Sequence, residues 1–297
     1  MNPKPKIIVI VGPTASGKSN LAVKLAQKYN GEIISADSRQ VYRGMDIGSG
    51  KITKKEMAGI PHHLLDVADP KRTYSVAQYQ KLAHKTITEI LLRGKLPIIV
   101  GGTGLYIQSI VDNLTLPKVP PNAKLRKVLD EKDPAELFAM LKKLDPTRAK
   151  NIDAQNPRRL VRAIEIAKFL GAIPALKKTE QYDTLQIGLQ VDMAELAKKI
   201  ALRLSKRLKQ GMVTEVKQLQ TSGVSWKRLE NFGLEYRYLA RFLRGQISKA
   251  EMIDSIQSES IKYAKRQMTW FNKDKRIVWV NKPAEAEKLT ASFLPKN

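Results

Sequence analysis

Residues 7–19 read IIVIVGPTASGKS, an apolar run that leads directly into a loop of the form Gly-x4-Gly-Lys-Ser. The apolar run predicts a buried strand, and a segment of helical period follows, so the stretch predicts strand, loop and helix in succession. Backbone N–H groups of such a loop turn inward around phosphate oxygens, and the helix adds the positive end of its dipole. We predict a phosphate-binding loop (P-loop) that holds the phosphates of a substrate, with Ser19 as a ligand of Mg²⁺. Its residues are Gly12, Pro13, Thr14, Ala15, Ser16, Gly17, Lys18 and Ser19.

The rest of the chain extends this unit into an α/β fold. Short apolar runs alternate with segments of helical period, which is the pattern of a parallel sheet with crossover helices. Strands are predicted at 6–11, 32–36, 63–67, 97–101, 185–191 and 276–280, and helices at about 18–29, 75–94, 193–210 and 249–270. Prolines and charge-rich helical segments interrupt the pattern in the middle. We predict a P-loop NTPase-like, doubly wound parallel sheet with an inserted helical domain, divided into core 1–116, insertion 117–183 and core 184–297.

Composition limits the classes of function. The 297 residues carry 53 Lys and Arg against 28 Asp and Glu, a net charge of +25, with three histidines and no cysteine. The absence of cysteine excludes disulfides, thiolate catalysis and cysteine zinc sites. The charge indicates a polyanionic partner, or else an evenly basic surface. No uncharged run approaches the ~18 residues of a membrane span, so we expect a cytoplasmic protein without a membrane partner.

Two further motifs follow predicted strands. Asp37 comes directly after the second strand, and ligands of open α/β sheets bind beyond those strand ends. A carboxylate there serves as a general base or metal ligand, or it caps a local Asx turn. Gly101-Gly102-Thr103-Gly104 follows the strand at 97–101. Its glycines permit either close approach to a ligand or a tight strand-to-helix turn, and the Thr103 hydroxyl can donate to a phosphate or an adenine edge.

Basic side chains recur on three predicted helices. Lys199, Arg203 and Arg207 stand four residues apart on one helix face, and arginines crowd the start of the helix after Asn156-Pro157. Residues 262–271 interleave cations with aromatic side chains, a mixture suited to RNA phosphates and splayed bases. Solvated helix faces and core aromatics are the alternative interpretations.

Six blocks of the sequence, taken together and in order, resemble the bacterial tRNA dimethylallyltransferases. They are residues 12–19, 37–48, 59–67, 100–106, 156–162 and 265–270. That family transfers a dimethylallyl group from dimethylallyl diphosphate to N6 of the adenosine on the 3′ side of the anticodon, and releases diphosphate. The resemblance implies that the P-loop holds the donor's diphosphate with Mg²⁺. It also implies three catalytic residues: Asp37 as the base at N6, Arg203 on the diphosphate, and Thr103 between the adenine and the leaving group.

The same resemblance implies a monomer that binds the anticodon stem-loop of tRNA, with the insertion clasping the stem. The implied tRNA contacts are Asp37, Ser38, Arg39, Gln40, Thr103, Arg126, Arg158, Arg159, Leu160, Val161, Arg162, Lys265, Arg266, Gln267, Met268, Thr269, Trp270, Phe271 and Asn272. The chain departs from the family pattern at one position. Where many members read Ile-Gly-Tyr, it reads Leu234-Glu235-Tyr236, which replaces a glycine that lets the anticodon loop approach.

Three other functions share parts of this pattern. A small-molecule or nucleotide kinase also needs a P-loop and an Asp near the acceptor. A non-enzymatic, NTP-regulated RNA-binding protein would share the loop and the charge. Adenylate isopentenyltransferases share the loop and the Asp but act on a free nucleotide. The charge of +25 argues against the kinase and, together with the helical insertion, against the adenylate isopentenyltransferases. The RNA-binding protein differs in that Asp37→Ala would leave its biological activity intact.

Overall fold

A computed structural model describes residues 3–294 and places six strands in one sheet. The strands are β1 (Lys6–Val11), β2 (Gly31–Ala36), β3 (His62–His63), β4 (Leu96–Gly101), β5 (Asp183–Leu189) and β6 (Ile277–Val280). All neighbours are parallel, in the order β3-β2-β4-β1-β5-β6. Strands β2 to β4 lie on one side of β1, and β5 and β6 lie on the other, so the predicted doubly wound parallel sheet is confirmed.

Helices cover both faces of the sheet, and each face has its own apolar core. They are α1 (Lys18–Lys28), α2 (Lys54–Met57), α3 (Val76–Leu92), α4 (Gly104–Val111), α5 (Ala123–Leu129), α6 (Pro134–Leu144), α7 (Pro146–Ala149), α8 (Pro157–Leu170), α9 (Met193–Lys209), α10 (Met212–Thr221), α11 (Trp226–Phe232), α12 (Leu234–Leu243), α13 (Lys249–Phe271) and α14 (Pro283–Phe293). Within residues 3–294, no helix has both the length and the apolar character that crossing a bilayer requires.

Two predicted strands end earlier than expected. In place of the strand predicted at 63–67, the structure has only the two residues of β3, His62 and His63. The strand ends there because Leu64 and Asp66 adopt φ values of 63° and 58°, in the left-handed region that an extended strand cannot include. The strand predicted at 185–191 ends at Leu189. Asp192 instead caps α9, where its carboxylate accepts the N–H groups of Ala194 and Glu195.

The chain divides into two compact units. One contains the sheet and comprises the residues up to 113 together with those from 180 onward, and the other is the helical insertion, 114–179. The sequence-based bounds of the insertion are 117–183. In the insertion, α5 to α8 enclose a separate apolar core, and a buried carboxylate, Glu165, binds the guanidinium groups of Arg126 and Arg162. The helical nature of the insertion agrees with the prediction.

Candidate active site

The strand register brings three loops together at one edge of the sheet. Gly101 lies opposite both Val11 and Ala36, so the loops after β1, β4 and β2 begin side by side. They border a crevice of about 510 Å³ within the sheet-containing unit. Its lining includes all three predicted catalytic residues, which are Asp37, Thr103 and Arg203. Lys18 and Ser19 of the P-loop also line it.

The P-loop turns sharply and ends where α1 begins. Gly17, with φ 90°, directly precedes the helix, and Ala15 has φ 63°, so the backbone reverses its curvature within a few residues. The Ser16 hydroxyl is buried and has no hydrogen-bond partner within residues 3–294. A buried hydroxyl without a partner is unfavourable unless a ligand binds it, which is consistent with a loop that binds an anion.

Lys18 carries a disfavoured charge in the crevice. Its Nζ donates to the carbonyl oxygen of Pro13 at 3.1 Å. The pKa of Lys18 is lowered to about 8, chiefly by burial; attraction to Asp37 opposes this shift, and repulsion from Arg203 adds to it. The ammonium group is therefore stabilised by any anion that enters.

Arg203 and Arg207 both extend from α9 into the crevice but have different partners. The Arg203 guanidinium is partly buried and makes no hydrogen bond or ion pair with any residue that the structure describes, and burial, followed by repulsion from Arg207, lowers its pKa to about 10. The Arg207 guanidinium lies 3.3 Å from the Glu235 carboxylate. Glu235 therefore neutralises Arg207, and Arg203 stays available for an anion.

The Asp37 carboxylate is oriented by the turn that it caps. Oδ1 accepts the N–H of Arg39 at 2.8 Å and that of Gln40 at 3.4 Å, which is the Asx turn foreseen as the alternative role. Within the described chain no hydrogen bond reaches Oδ2. Asp37 also lines the crevice, so the turn holds one oxygen and leaves the other for a ligand.

Thr103 joins the loop after β4 to the loop that carries Asp37. Its Oγ1 accepts the N–H of Ser38 at 3.0 Å, and its own N–H donates to the carbonyl oxygen of Ala36 at 3.1 Å. Because the hydroxyl oxygen acts as an acceptor, its proton remains available to donate to a substrate atom in the crevice.

A buried hydrogen-bond network around Glu215, which no sequence pattern predicted, lies next to Arg203 and Arg207. The Glu215 carboxylate accepts the N–H groups of Asp46, Ile47 and Gly48 at 2.6 to 3.0 Å and the Tyr236 hydroxyl at 2.8 Å. This network holds the segment that leads to Gly50, where a Cβ would lie 1.6 Å from Nη2 of Arg207. In the sequence, Glu215 is one charged residue of an amphipathic helix and carries no distinguishing signal.

All but three of the predicted tRNA contacts fall into three groups. The exceptions are Arg126 and Arg162, which pair with the buried Glu165 carboxylate, and Met268, which is partly buried. Those that line the crevice are Asp37, Ser38, Arg39, Gln40, Thr103, Arg266, Gln267 and Trp270. Exposed side chains outside its lining are Lys265, Thr269 and Asn272 on or beside α13, and Arg158 and Arg159 on the insertion. Leu160, Val161 and Phe271 are buried in apolar cores, so their side chains are not available for such contacts.

The chain is similar to known proteins over nearly its whole length. It matches the family model described as IPP transferase over residues 40–274. It is 43% identical over 283 residues to tRNA dimethylallyltransferase 1 of Syntrophus aciditrophicus, an alignment that covers 92% of this chain and 93% of that protein. Among solved structures it resembles the full-length tRNA isopentenylpyrophosphate transferase of Bacillus halodurans, with TM-score 0.75, 37% identity and coverage of 98% and 97%. It also resembles a eukaryotic dimethylallyltransferase captured acting on tRNA, with TM-score 0.76, 27% identity and coverage of 97% of this chain and 77% of that one.

Proposed function

We infer the reaction of the crevice from the premise that the chain belongs to the IPP transferase family and is a tRNA dimethylallyltransferase. The proposed donor is dimethylallyl diphosphate, and the proposed acceptor is N6 of the adenosine on the 3′ side of the anticodon. One observation supports the assignment of prenyl transfer to the crevice. Lys18 and Arg203 repel each other there, and neither is paired with a carboxylate among the described residues.

These two cations fit the leaving group of prenyl transfer. A diphosphate between Lys18 and Arg203 relieves their repulsion, and the N–H groups of the P-loop supply further donors. The interaction strengthens as the allylic C–O bond breaks, because negative charge then accumulates on the diphosphate oxygens. Stabilisation of that developing charge lowers the barrier more than it tightens substrate binding.

Asp37 fits the role of base. Adenine N6 is a poor nucleophile, because its lone pair is delocalised into the ring. In the proposed step the N6–C bond forms, the C–O bond electrons leave with the diphosphate, and Oδ2 of Asp37 accepts the N6 proton. Thr103, fixed beside Asp37 through Ser38, can donate its hydroxyl proton to the adenine edge or to the leaving group.

The oxygen ligands in the crevice fit Mg²⁺. Ser19 lines the crevice, and its hydroxyl would hold the ion together with the donor's phosphate oxygens. The ion would add positive charge beside the leaving group.

The acceptor reaches the crevice only if the adenosine leaves its stack, as base-modifying enzymes require. Arg39 and Arg266 line the opening, and Trp270, 37% exposed, offers a ring on which a splayed base can stack. A net charge of +25 supports binding to the tRNA backbone. We further propose that the enzyme acts as a cytoplasmic monomer.

The decisive experiment supplies purified protein with Mg²⁺, dimethylallyl diphosphate and unmodified tRNA, followed by mass spectrometry of the digested nucleosides. We expect N6-dimethylallyladenosine at the position 3′ to the anticodon. A parallel reaction supplies ATP and small hydroxyl acceptors. The proposal is wrong if phosphoryl groups are transferred and no prenyladenosine forms, because that result identifies a kinase.

A further inference from the structure

The side chain of Gln267 bridges two loops of the crevice. It lies on α13 with 5% of its surface exposed. Oε1 accepts the N–H of Thr14 at 2.9 Å, and Nε2 donates to the carbonyl oxygen of Gly102 at 2.9 Å. These partners determine which amide atom is oxygen, because an N–H can only donate and a carbonyl can only accept. A Cβ on Gly102 would lie 2.1 Å from Nε2, so the contact depends on glycine at that position.

The bridge joins parts of the site with different tasks. Thr14 belongs to the P-loop, which receives the donor, and Gly102 precedes Thr103, whose hydroxyl accepts the N–H of Ser38 beside Asp37. A continuous path of hydrogen bonds and backbone therefore links Thr14 of the P-loop, through Gln267 and Thr103, to the loop that carries Asp37. The N–H of Thr14 donates to Gln267 and that of Ser16 to the carbonyl oxygen of Pro13, so the N–H groups at the start of α1 are the ones that can bind phosphates.

We propose that Gln267 is a positioning residue that sets the distance between the donor's diphosphate and the acceptor nitrogen. The proposal rests on the prenyl-transfer function stated above. A nucleophile and an electrophile bound on separate loops react only while both loops keep their spacing, and an error of about 1 Å costs about 100-fold in rate. Gln267 contacts neither substrate in this role.

This role differs from the one that the family resemblance implies, which is contact with tRNA. Burial and the use of both amide atoms within the crevice oppose that role. The two roles predict different kinetics. Loss of a tRNA contact weakens tRNA binding, whereas loss of the bridge lowers kcat and leaves the dissociation constant of tRNA unchanged.

The test is Gln267→Glu, which keeps the shape of the side chain. One carboxylate oxygen still accepts the N–H of Thr14, but the other replaces Nε2 and repels the carbonyl oxygen of Gly102 while the group is ionised. Protonation restores a donor at that position. Lys18 and Arg266 in the same crevice favour the ionised form, and Asp37 and Glu259 oppose it. We expect kcat at pH 8.5 to fall about 10- to 100-fold.

The pH dependence separates positioning from a general structural defect. The ratio of variant to wild-type kcat, taken at each pH to cancel the pH dependence that both proteins share, rises as the pH falls from 8.5 to 6. The dissociation constant of tRNA, from filter binding, stays within about twofold of wild type, well under 1 kcal/mol. Gln257→Glu makes the same chemical change on α13 outside the crevice lining, and its ratio stays near one.

Two results would overturn the inference: full activity of Gln267→Glu at pH 8.5, or a reduced ratio that is independent of pH and accompanied by weak tRNA binding.

If Gln267→Glu does not fold, Gln267→Asn replaces it, because a neutral amide shorter by one methylene cannot reach both loops. That variant must lose kcat with no pH dependence of the ratio, and unchanged kcat refutes the bridge. Failure of wild-type protein to form prenyladenosine would instead refute the proposed function.

Discussion

Raising the pH should remove the charge of Lys18 and with it the capture of the donor. Burial lowers the pKa of Lys18 to about 8, so the ammonium is mostly charged at neutral pH and mostly neutral above pH 9. Each pH unit above the pKa lowers the charged fraction, and thus kcat/KM for the donor, about tenfold. Between pH 7 and 9.5 the expected fall is about thirtyfold. Arg203, with a pKa of about 10, keeps most of its charge over this range.

Initial rates with limiting dimethylallyl diphosphate and saturating tRNA, at constant Mg²⁺, measure this quantity. It reports on the enzyme–tRNA complex before the donor binds, in which no donor phosphate raises the pKa of Lys18. Lys18→Met is the matched control: its kcat/KM is low at pH 7 and does not fall further with pH. The tRNA dissociation constant, measured at the same pH values, identifies any loss that arises elsewhere. A flat wild-type profile, or an equal decline in Lys18→Met, would refute the assignment of the charge to donor binding.

Further predictions concern stability and the remaining groups of the site. Lys18→Met raises the free energy of unfolding at pH 7 by up to about 3 kcal/mol in urea titrations, because the buried ammonium disfavours the folded state; the gain shrinks as the pH rises from 8 towards the unfolded pKa of 10.5. Asp37→Asn lowers the single-turnover rate about 10²- to 10⁴-fold while tRNA affinity changes little, and loss of affinity with an intact rate would contradict its role as base. Gly50→Ala raises KM for the donor, because the new Cβ would lie 1.6 Å from Nη2 of Arg207 and 3.0 Å from Nη2 of Arg203, which binds the diphosphate; an unchanged KM would show that this approach is unimportant. Glu215→Gln lowers the free energy of unfolding by roughly 2 kcal/mol, because a buried carboxylate accepts three N–H groups there, and a wild-type urea midpoint would argue against the network.

The sequence indicated the architecture because its signals are local. An apolar run before Gly12 and helical period after Ser19 give strand, loop and helix regardless of the rest of the chain. The same local pattern predicted too long a strand at 63–67, because composition does not reveal the left-handed backbone conformations of Leu64 and Asp66. Membership of the family also followed from sequence, because six ordered motifs extend over nearly the whole chain.

The sequence alone determined the P-loop, the α/β class, the helical insertion and the tRNA-modifying family. Only the tertiary structure decided which charges face the ligand. Arg203 and Arg207 are equivalent in sequence, four residues apart on α9, yet Glu235 neutralises one and leaves the other unpaired. The hydrogen bonds of Gln267 could not be predicted from the sequence either. Its partners, Thr14 and Gly102, are distant in sequence and meet it only because β1 and β4 pair in register. Local patterns determine the elements of the fold, whereas pairing between distant residues depends on how those elements pack.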